Sequence, residues 1–274
     1  MAGSLSLVGT PIGNLGDLSE RARETLAEVD LVVAEDTRRT GRLLRVLGLR
    51  KPLLSMFEGN EDRRAEEVVA RLEGNEDVAV VTDGGMPSIS DPGYRLVRLA
   101  IDRGINVRVV PGPSAAVAAL VVSGLPTDRF SFEGFLPRRR GERSRRLAEM
   151  ATDPRTLVLF ESPRRTVALL RELRDALGDR RVAVCRELTK LHEEVLRGPV
   201  NEVLERIGDR ELKGEVVVVV EGARGASTVD HHDAVEEVRR LIDGGMRPRD
   251  AARAVAERHG TSPNPLYRAV LDGS

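Results

Sequence analysis

The sequence predicts an α/β protein, with two successive α/β domains followed by a small helical domain. Three observations lead there. Short β-branched runs alternate with segments of helical periodicity through the first half. Three of those runs open into loops rich in glycine and proline. Around Leu125-Pro126-Thr127 the pattern changes character, and a second series of strands and helices begins.

In the first series Ser4–Gly9, Leu31–Ala34, Val78–Thr82 and Val107–Val110 read as strands, with Pro52–Ser55 a weaker fifth. Helical spacing fills Ser19–Glu28, Arg38–Leu47, Asp62–Leu72 and Pro92–Asp102. The strands alternate poorly with polar residues, as expected of a parallel sheet covered by helices on both faces. Ser114 is placed to cap a helix running through Val122, and because that helix is apolar on every side it is expected to be buried. In the second series Phe130–Phe135, Thr156–Phe160, Val182–Cys185, Val195–Arg197 and Glu215–Val220 are strand candidates. Helices are expected near Gly141–Met150, Arg164–Leu177 and Val200–Ile207, on a mixed sheet. A polar linker, Ala223–Asp230, leads to three short helical patterns, Asp233–Ile242, Pro248–Arg258 and Asn264–Leu271. Pro248 suits a helix start and Gly260 a position just past a helix end. The expected domains are 1–124, 125–222 and 231–274.

Composition narrows the chemistry. Of 274 residues, 41% are hydrophobic and 32% charged, ordinary for a globular protein, whereas only 3% are aromatic and none is Trp. Recognition of single-stranded nucleic acid mainly by stacking is therefore disfavoured. Lys51, Lys190 and Lys213 are the only lysines, so arginine supplies nearly all positive charge within a net charge of −1. Genomic composition accounts for such a bias; so does the fit of guanidinium forks to phosphate. Cys185 stands alone, and the four histidines show no ligand spacing, so neither a disulfide nor a metal site is expected. No secretory pattern begins the chain, and the longest apolar run, Ala115 to Val122, is far below the ~20 residues of a membrane span. A cytoplasmic protein without membrane contact is expected.

The three loops carry the functional signal. Gly9-Thr10-Pro11-Ile12-Gly13-Asn14 follows the first strand, Asp83 to Gly93 follows Val78–Thr82, and Pro111-Gly112-Pro113-Ser114-Ala115 follows Val107–Val110. Ligands of open parallel sheets bind beyond the carboxyl ends of the strands. Glycine lets backbone approach a ligand, and proline stiffens a loop without an N–H to satisfy. The first loop lacks the G-x-G-x-x-G spacing that cradles a pyrophosphate, and no P-loop is present. A cofactor held by backbone without a phosphate cradle fits S-adenosylmethionine.

From about Ser4 to Leu271 the chain resembles the tetrapyrrole-methylase superfamily and, within it, the bacterial small-subunit ribosomal RNA (cytidine-2′-O)-methyltransferases. The motifs that carry the resemblance are Val8 to Leu15, Ala34-Glu35-Asp36-Thr37-Arg38, Ser90-Asp91-Pro92-Gly93-Tyr94, Pro111 to Ala115, Phe132 to Pro137, Phe160-Glu161-Ser162-Pro163, Arg186 to Lys190 and Gly214-Glu215. One departure stands out: Gly84-Gly85-Met86-Pro87 replaces the family's usual Ala-Gly-Thr-Pro. The resemblance implies two α/β domains with the cofactor cleft between them. It implies S-adenosylmethionine held largely by main chain at Pro11, Ile12, Asp83, Gly84, Gly85, Met86, Ile89, Ser114, Ala115, Phe160, Leu188 and Gly214. Phe160 and Leu188 also read as core residues, and Ser114 as a helix cap.

In-line attack of a ribose 2′-hydroxyl on a sulfonium methyl demands mainly alignment, with a base as a further aid. Asp36, Glu161 and Lys190 are the catalytic candidates, lying in matched motifs near strand ends; against each stands the ordinary and favoured reading as an ion-pair or capping residue, and the sequence does not choose among them. Arg38, Arg39, Arg164 and Arg165 are candidates for holding RNA. So are Arg138, Arg139 and Arg140, which open a run of six arginines in nine residues ending at Arg146. In the tail, Ala251, Ala252, Val255 and Ala256 with Leu266, Tyr267, Val270 and Leu271 form the apolar face of a helix-turn-helix-like unit. There Arg249, Arg253, Arg258 and Arg268 could meet phosphate; a packing role reads equally well. The resemblance implies a cytidine of the decoding region of 16S RNA as acceptor, the small ribosomal subunit as partner and a homodimer, with no DNA partner. Alternative readings are a methylase of a tetrapyrrole or another small or protein acceptor, and a non-enzymatic ligand-sensing regulator that binds nucleic acid.

Overall fold

A computed structural model describes residues 2–223, 231–259 and 263–271. The chain divides into two compact units: residues 1–148 with 156–221, and residues 149–155 with 222–274.

The first unit contains two five-stranded sheets. Strands β1 (Ser4–Val8), β2 (Leu31–Ala34), β3 (Leu53–Ser55), β4 (Val78–Val81) and β5 (Asn106–Val110) are all parallel, in the order β3-β2-β4-β1-β5. Helices α1 (Glu20–Glu28), α2 (Thr37–Val46), α3 (Glu61–Glu73) and α4 (Tyr94–Asp102) connect them. Because side chains alternate across a strand, each central strand feeds two cores. Leu5, Val33, Val78 and Val80 meet Val68, Val69 and Leu72 of α3 and Leu96 of α4. Val8, Val32, Ala79 and Val81 meet Ala22 and Leu26 of α1 and Leu44 of α2. Both sets are buried, which explains the continuous apolar runs; each such side chain removed from water contributes ~1.5–3 kcal/mol. Strand β5 is the exception, an edge strand with Val109 exposed.

The second sheet has the order β6-β7-β10-β8-β9: β6 (Phe130–Phe135), β7 (Thr156–Glu161), β8 (Arg181–Arg186), β9 (Glu194–Pro199) and β10 (Val216–Val220). Only β6 and β7 pair in parallel, so the sheet is mixed as expected. Helix α5 (Ala115–Ser123) packs on this sheet: Ala116, Ala119 and Leu120 join Val158, Ala183, Cys185, Val217 and Val219 in one core. The expectation of a wholly buried α5 is corrected, since Val117 is 49% and Val121 68% exposed. One sheet face can cover only one side of a helix. Helices α6 (Arg140–Met150), whose residues 140–148 belong to this unit, α7 (Thr166–Leu177) and α8 (Val200–Ile207) accompany this sheet.

In the second unit α9 (His231–Asp243), α10 (Pro248–His259) and α11 (Pro263–Leu271) share a core of Ala234, Val235, Val238, Ala251, Ala252, Val255, Ala256 and Leu266. Pro248 starts α10, as expected. Leu271 is half exposed and lies outside that core, which corrects its assignment to the apolar face. The part of the expected linker that spans residues 224–230 and the turn at Gly260 lie outside the described residues. Among the described residues no helix is long and apolar enough to cross a membrane.

Candidate active site

A parallel sheet presents the ends of all its strands on one edge, so the loops after β1, β4 and β5 necessarily converge. They are also locked to one another. Thr10 and Gly85 exchange backbone hydrogen bonds of 2.9 and 3.0 Å, joining the first loop to the second. The Gly9 N–H donates to Val110 O, and a Cβ at Gly9 would sit 2.6 Å from Gly112 N, so first and third loops touch through bare backbone. A Cβ at Gly13 would lie 2.5 Å from Lys190 Cγ, which brings the first loop against the β8–β9 connection of the second sheet.

These approaches enclose a cleft of ≈ 520 Å³, within the ordinary range for small-molecule sites. Of the expected cofactor-binding residues, Pro11, Ile12, Asp83, Gly84, Gly85, Met86, Ile89, Ser114, Ala115, Phe160 and Gly214 all line it. Leu188 does not; it is buried in the α5 core, against which Phe160 packs. Ser114 also caps α5, its hydroxyl accepting from Val117 N at 3.4 Å. Phe160 stands edge-on to Phe132 and Phe135, with ring centroids 5.0 and 5.6 Å away.

The three catalytic candidates have different surroundings. Asp36 caps α2 and is gripped by its neighbour Arg38, whose guanidinium reaches both carboxylate oxygens. Those hydrogen bonds hold Asp36 far below the usual carboxylate range, and it lies outside the cleft lining. Glu161 lines the cleft, yet its carboxylate accepts from Ser162 N (2.7 Å) and Arg165 (2.8 Å), with Arg143 at 3.6 Å. Lys190 lines the cleft and donates to Glu187 (2.8 Å) and Glu215 (3.1 Å). Burial alone would lower its pKa; the two carboxylates outweigh it and raise it, so Lys190 stays a cation.

The arginines divide likewise. Arg38, Arg138, Arg139, Arg140 and Arg164 are exposed, although Arg38 pairs with Asp36 and Arg139 with Glu142. Arg39 pairs with Asp83 at 3.2 Å and lines a smaller cavity of ≈ 240 Å³ with Thr10, Pro11 and Thr82. Arg165 serves Glu161. Within the arginine run, Arg143 and Arg146 neutralise the buried carboxylates Glu161 and Glu133, so only part of the run faces solvent as a patch. In the tail Arg249 lies over the Tyr267 ring at 5.5 Å and Arg258 pairs with Glu237, while Arg253 and Arg268 are exposed.

Asp83 was expected at this edge from the sequence, but Glu35 and Asp91 beside it were not singled out as site residues. Glu35, Asp83 and Asp91 are brought together by the segments after β2 and β4. Burial is the largest cause raising each of the three above its usual value, seconded by a neighbouring carboxylate at Glu35 and Asp91 and opposed by Arg39 at Asp83, and Asp91 reaches about 7. Burial likewise pushes the Cys185 thiol up to about 12, leaving it inert as a nucleophile. No cluster of metal-ligating side chains occurs among the described residues.

Comparison with known proteins adds three findings. The model for Tetrapyrrole (Corrin/Porphyrin) Methylases matches residues 4–204. "Ribosomal RNA small subunit methyltransferase I" of Thermotoga maritima is 49% identical over 220 residues, covering 80% of this chain and 99% of that protein; the protein of the same name from Xylella fastidiosa is 45% identical over 271 residues, covering 97% and 98%. The fold is similar to a crystal structure of uroporphyrin-III C-methyltransferase from Thermus thermophilus complexed with S-adenosyl homocysteine. It has a TM-score of 0.56 and 22% identity over 80% of this chain and 97% of that one.

Proposed function

The chain belongs to the tetrapyrrole (corrin/porphyrin) methylase family, and on that premise we propose that it transfers a methyl group from S-adenosylmethionine to small-subunit (16S) ribosomal RNA. The acceptor in this proposal is the ribose 2′-oxygen of a cytidine in the decoding region. One observation carries the donor: the cleft is walled by the backbone of three braced glycine- and proline-rich loops with Ile89 and Phe160, and its lining cation Lys190 is already held by Glu187 and Glu215. Among the described residues such a lining leaves a pyrophosphate no uncommitted cation, and it suits a donor held by main chain and apolar contact. The names of the relatives, at 45–49% identity, support the acceptor.

S-adenosylmethionine supplies an activated methyl group, so this chain's residues are left to bind, orient and exclude water. Pro11, Ile12, Asp83 to Met86, Ser114, Ala115 and Gly214 would hold it through main chain, with Ile89 and Phe160 as apolar walls. Leu188 would support Phe160 from the core. Lys190 would position the second sheet's contribution, held in place by Glu187 and Glu215. Glu161 would fix Arg165 and Arg143, and Asp36 would fix Arg38 at the start of α2. Arg38, Arg138, Arg139, Arg140 and Arg164 are the groups exposed to meet RNA phosphate, whereas Arg39 and Arg165 would act first on Asp83 and Glu161. In this reading residues 1–124 would contribute the donor loops, 125–222 the opposite wall, and 231–274 a further contact with the small subunit. The protein would act in the cytoplasm as a homodimer, a state favoured by the open β5 edge and the outward Val109, Val117 and Val121.

The test is incubation with methyl-labelled S-adenosylmethionine and small ribosomal subunits that lack the modification. Label recovered as 2′-O-methylcytidine in the small-subunit RNA is the expected result. Label in no macromolecule, with tight binding to duplex DNA, would overturn it in favour of a regulator. Light scattering on the same preparation measures the dimer.

A further inference from the structure

Three of the four carboxylates lining the cleft already have cations: Asp83 has Arg39 (3.2 Å), Glu161 has Arg165 (2.8 Å) and Glu215 has Lys190 (3.1 Å). Asp91 has no ion pair among the described residues, although it is half-buried. The charged groups around it are Glu35 after β2, Asp83 with its Arg39 partner on α2, and Glu61 at the start of α3. The Glu61 carboxylate is committed to the Gly93 and Arg95 amides at 2.9 and 3.0 Å. Burial and the repulsion of Glu35 and Asp83 bring Asp91 to about 7. Against these the nearby Thr82 hydroxyl, buried and with no hydrogen-bond partner within normal distance, favours the ionised form.

The backbone around Asp91 is itself unusual. Ser88 and Ser90 both take left-handed conformations (φ 70° and 62°), and Gly93 follows at φ 134°. Two non-glycine residues held there within three positions mark a loop whose shape is over-determined by its surroundings, the condition under which strain accompanies function. The Glu61 anchor fixes the loop's far end.

We propose that Asp91 is the proton acceptor of the methyl transfer, an assignment that rests on the methyltransferase reading above. The 2′-oxygen forms its bond to the methyl carbon as the carbon–sulfur bond breaks, and that electron pair stays on sulfur. The hydroxyl proton passes to a carboxylate oxygen of Asp91 and leaves to solvent after product release. The other candidates are occupied: Lys190 is held as a cation, Asp36 is forked by Arg38 outside the cleft, and Glu161 already accepts from an amide and an arginine. A base is most effective when its pKa lies near the working pH.

The test has two arms. In the cofactor-free protein, carbon-13 NMR of the aspartate carboxyls should show Asp91 titrating near neutral pH, with its midpoint moved down by Glu35→Gln; an Asp91 midpoint in the ordinary carboxylate range overturns the proposal. In single-turnover methylation of small subunits, Asp91→Asn should lose about 100-fold or more in rate while calorimetry shows unchanged affinity for S-adenosylmethionine. Parental rate in Asp91→Asn overturns the proposal, as does a rate loss matched by an equal loss of cofactor affinity. Should Asp91→Asn fail to fold, Asp91→Glu takes its place, with a displaced acid limb of the pH–rate profile expected and an unchanged limb overturning it. A parent protein that labels no RNA fails the functional reading itself, an outcome distinct from an active parent whose Asp91→Asn variant is equally active.

Discussion

Removing Arg165 separates two roles that an arginine near a strand end can have. The Glu161 side chain is 1% exposed, and Arg165, itself 39% exposed, donates to it at 2.8 Å. Arg165→Ala leaves a buried carboxylate with Arg143 at 3.6 Å and the Ser162 amide. Breaking a buried pair by deleting one partner costs ~3–5 kcal/mol. Partial exposure of Arg165 and the remaining arginine reduce that here to ~2 kcal/mol. In a folded body of this size, ~1 kcal/mol moves the melting temperature by ~2–4 °C, so a fall of ~4–8 °C is expected. Its neighbour Arg164 is exposed, and Arg164→Ala should leave the melting temperature unchanged while weakening binding to small subunits. Calorimetric melting and filter binding of the two variants provide the comparison. An Arg165→Ala variant that melts with the parent but binds RNA poorly would refute the ion-pair assignment.

Three further outcomes are expected. Asp91 is raised to about 7, so it favours the fold while protonated, and that contribution is lost as pH rises through about 7. Asp91→Asn should therefore be more stable than the parent by ~1–2 kcal/mol near pH 8 after allowance for its partial exposure, with the gap closing toward pH 4 in urea titrations; a constant gap would count against burial as the cause. Gly9→Ala would press a methyl to 2.6 Å from Gly112 N, and since backbone cannot yield as a side chain does, a loss of ~1–3 kcal/mol and at least ~10-fold weaker cofactor binding are expected by melting and calorimetry. Replacing Arg138, Arg139 and Arg140 together with Ala should lower methylation of small subunits and flatten its salt dependence, with cofactor affinity intact; unchanged methylation across a salt series would remove the patch from the RNA contact.

The cleft was legible because its signals are local. Glycine and proline punctuate the three loops, and parallel strands must deliver them to one edge, so eleven of the twelve residues expected there line the cleft. Leu188 differs because its neighbours across the sheet, not its motif, decide whether it faces the core. Other features depend on distant partners. Arg143 and Arg146 read as members of a charge run, while Glu161 and Glu133 lie on separate strands that only the fold brings beneath α6. Asp91 was visible as part of Ser90-Asp91-Pro92-Gly93, yet its lack of a cation and the approach of Glu35 arise from the pairing of β2 with β4. Helix α5 gave no amphipathic signal, so the sequence could not show which side the second sheet would leave open.

The bridge between Thr10 and Gly85 and the bare approach of Gly9 to Gly112 brace three loops against one another rather than against a ligand. In evolutionary terms, that brace divides the molecule into regions that tolerate change unequally. At this edge a side chain added to Gly9 or Gly112 collides with main chain and one added to Gly85 is strained by its positive φ, so substitutions there act on folding first. The exposed arginines at the start of α6 meet no such steric limit on folding. A lineage with this architecture can vary its exposed arginines while the braced loops keep the shape of the cleft.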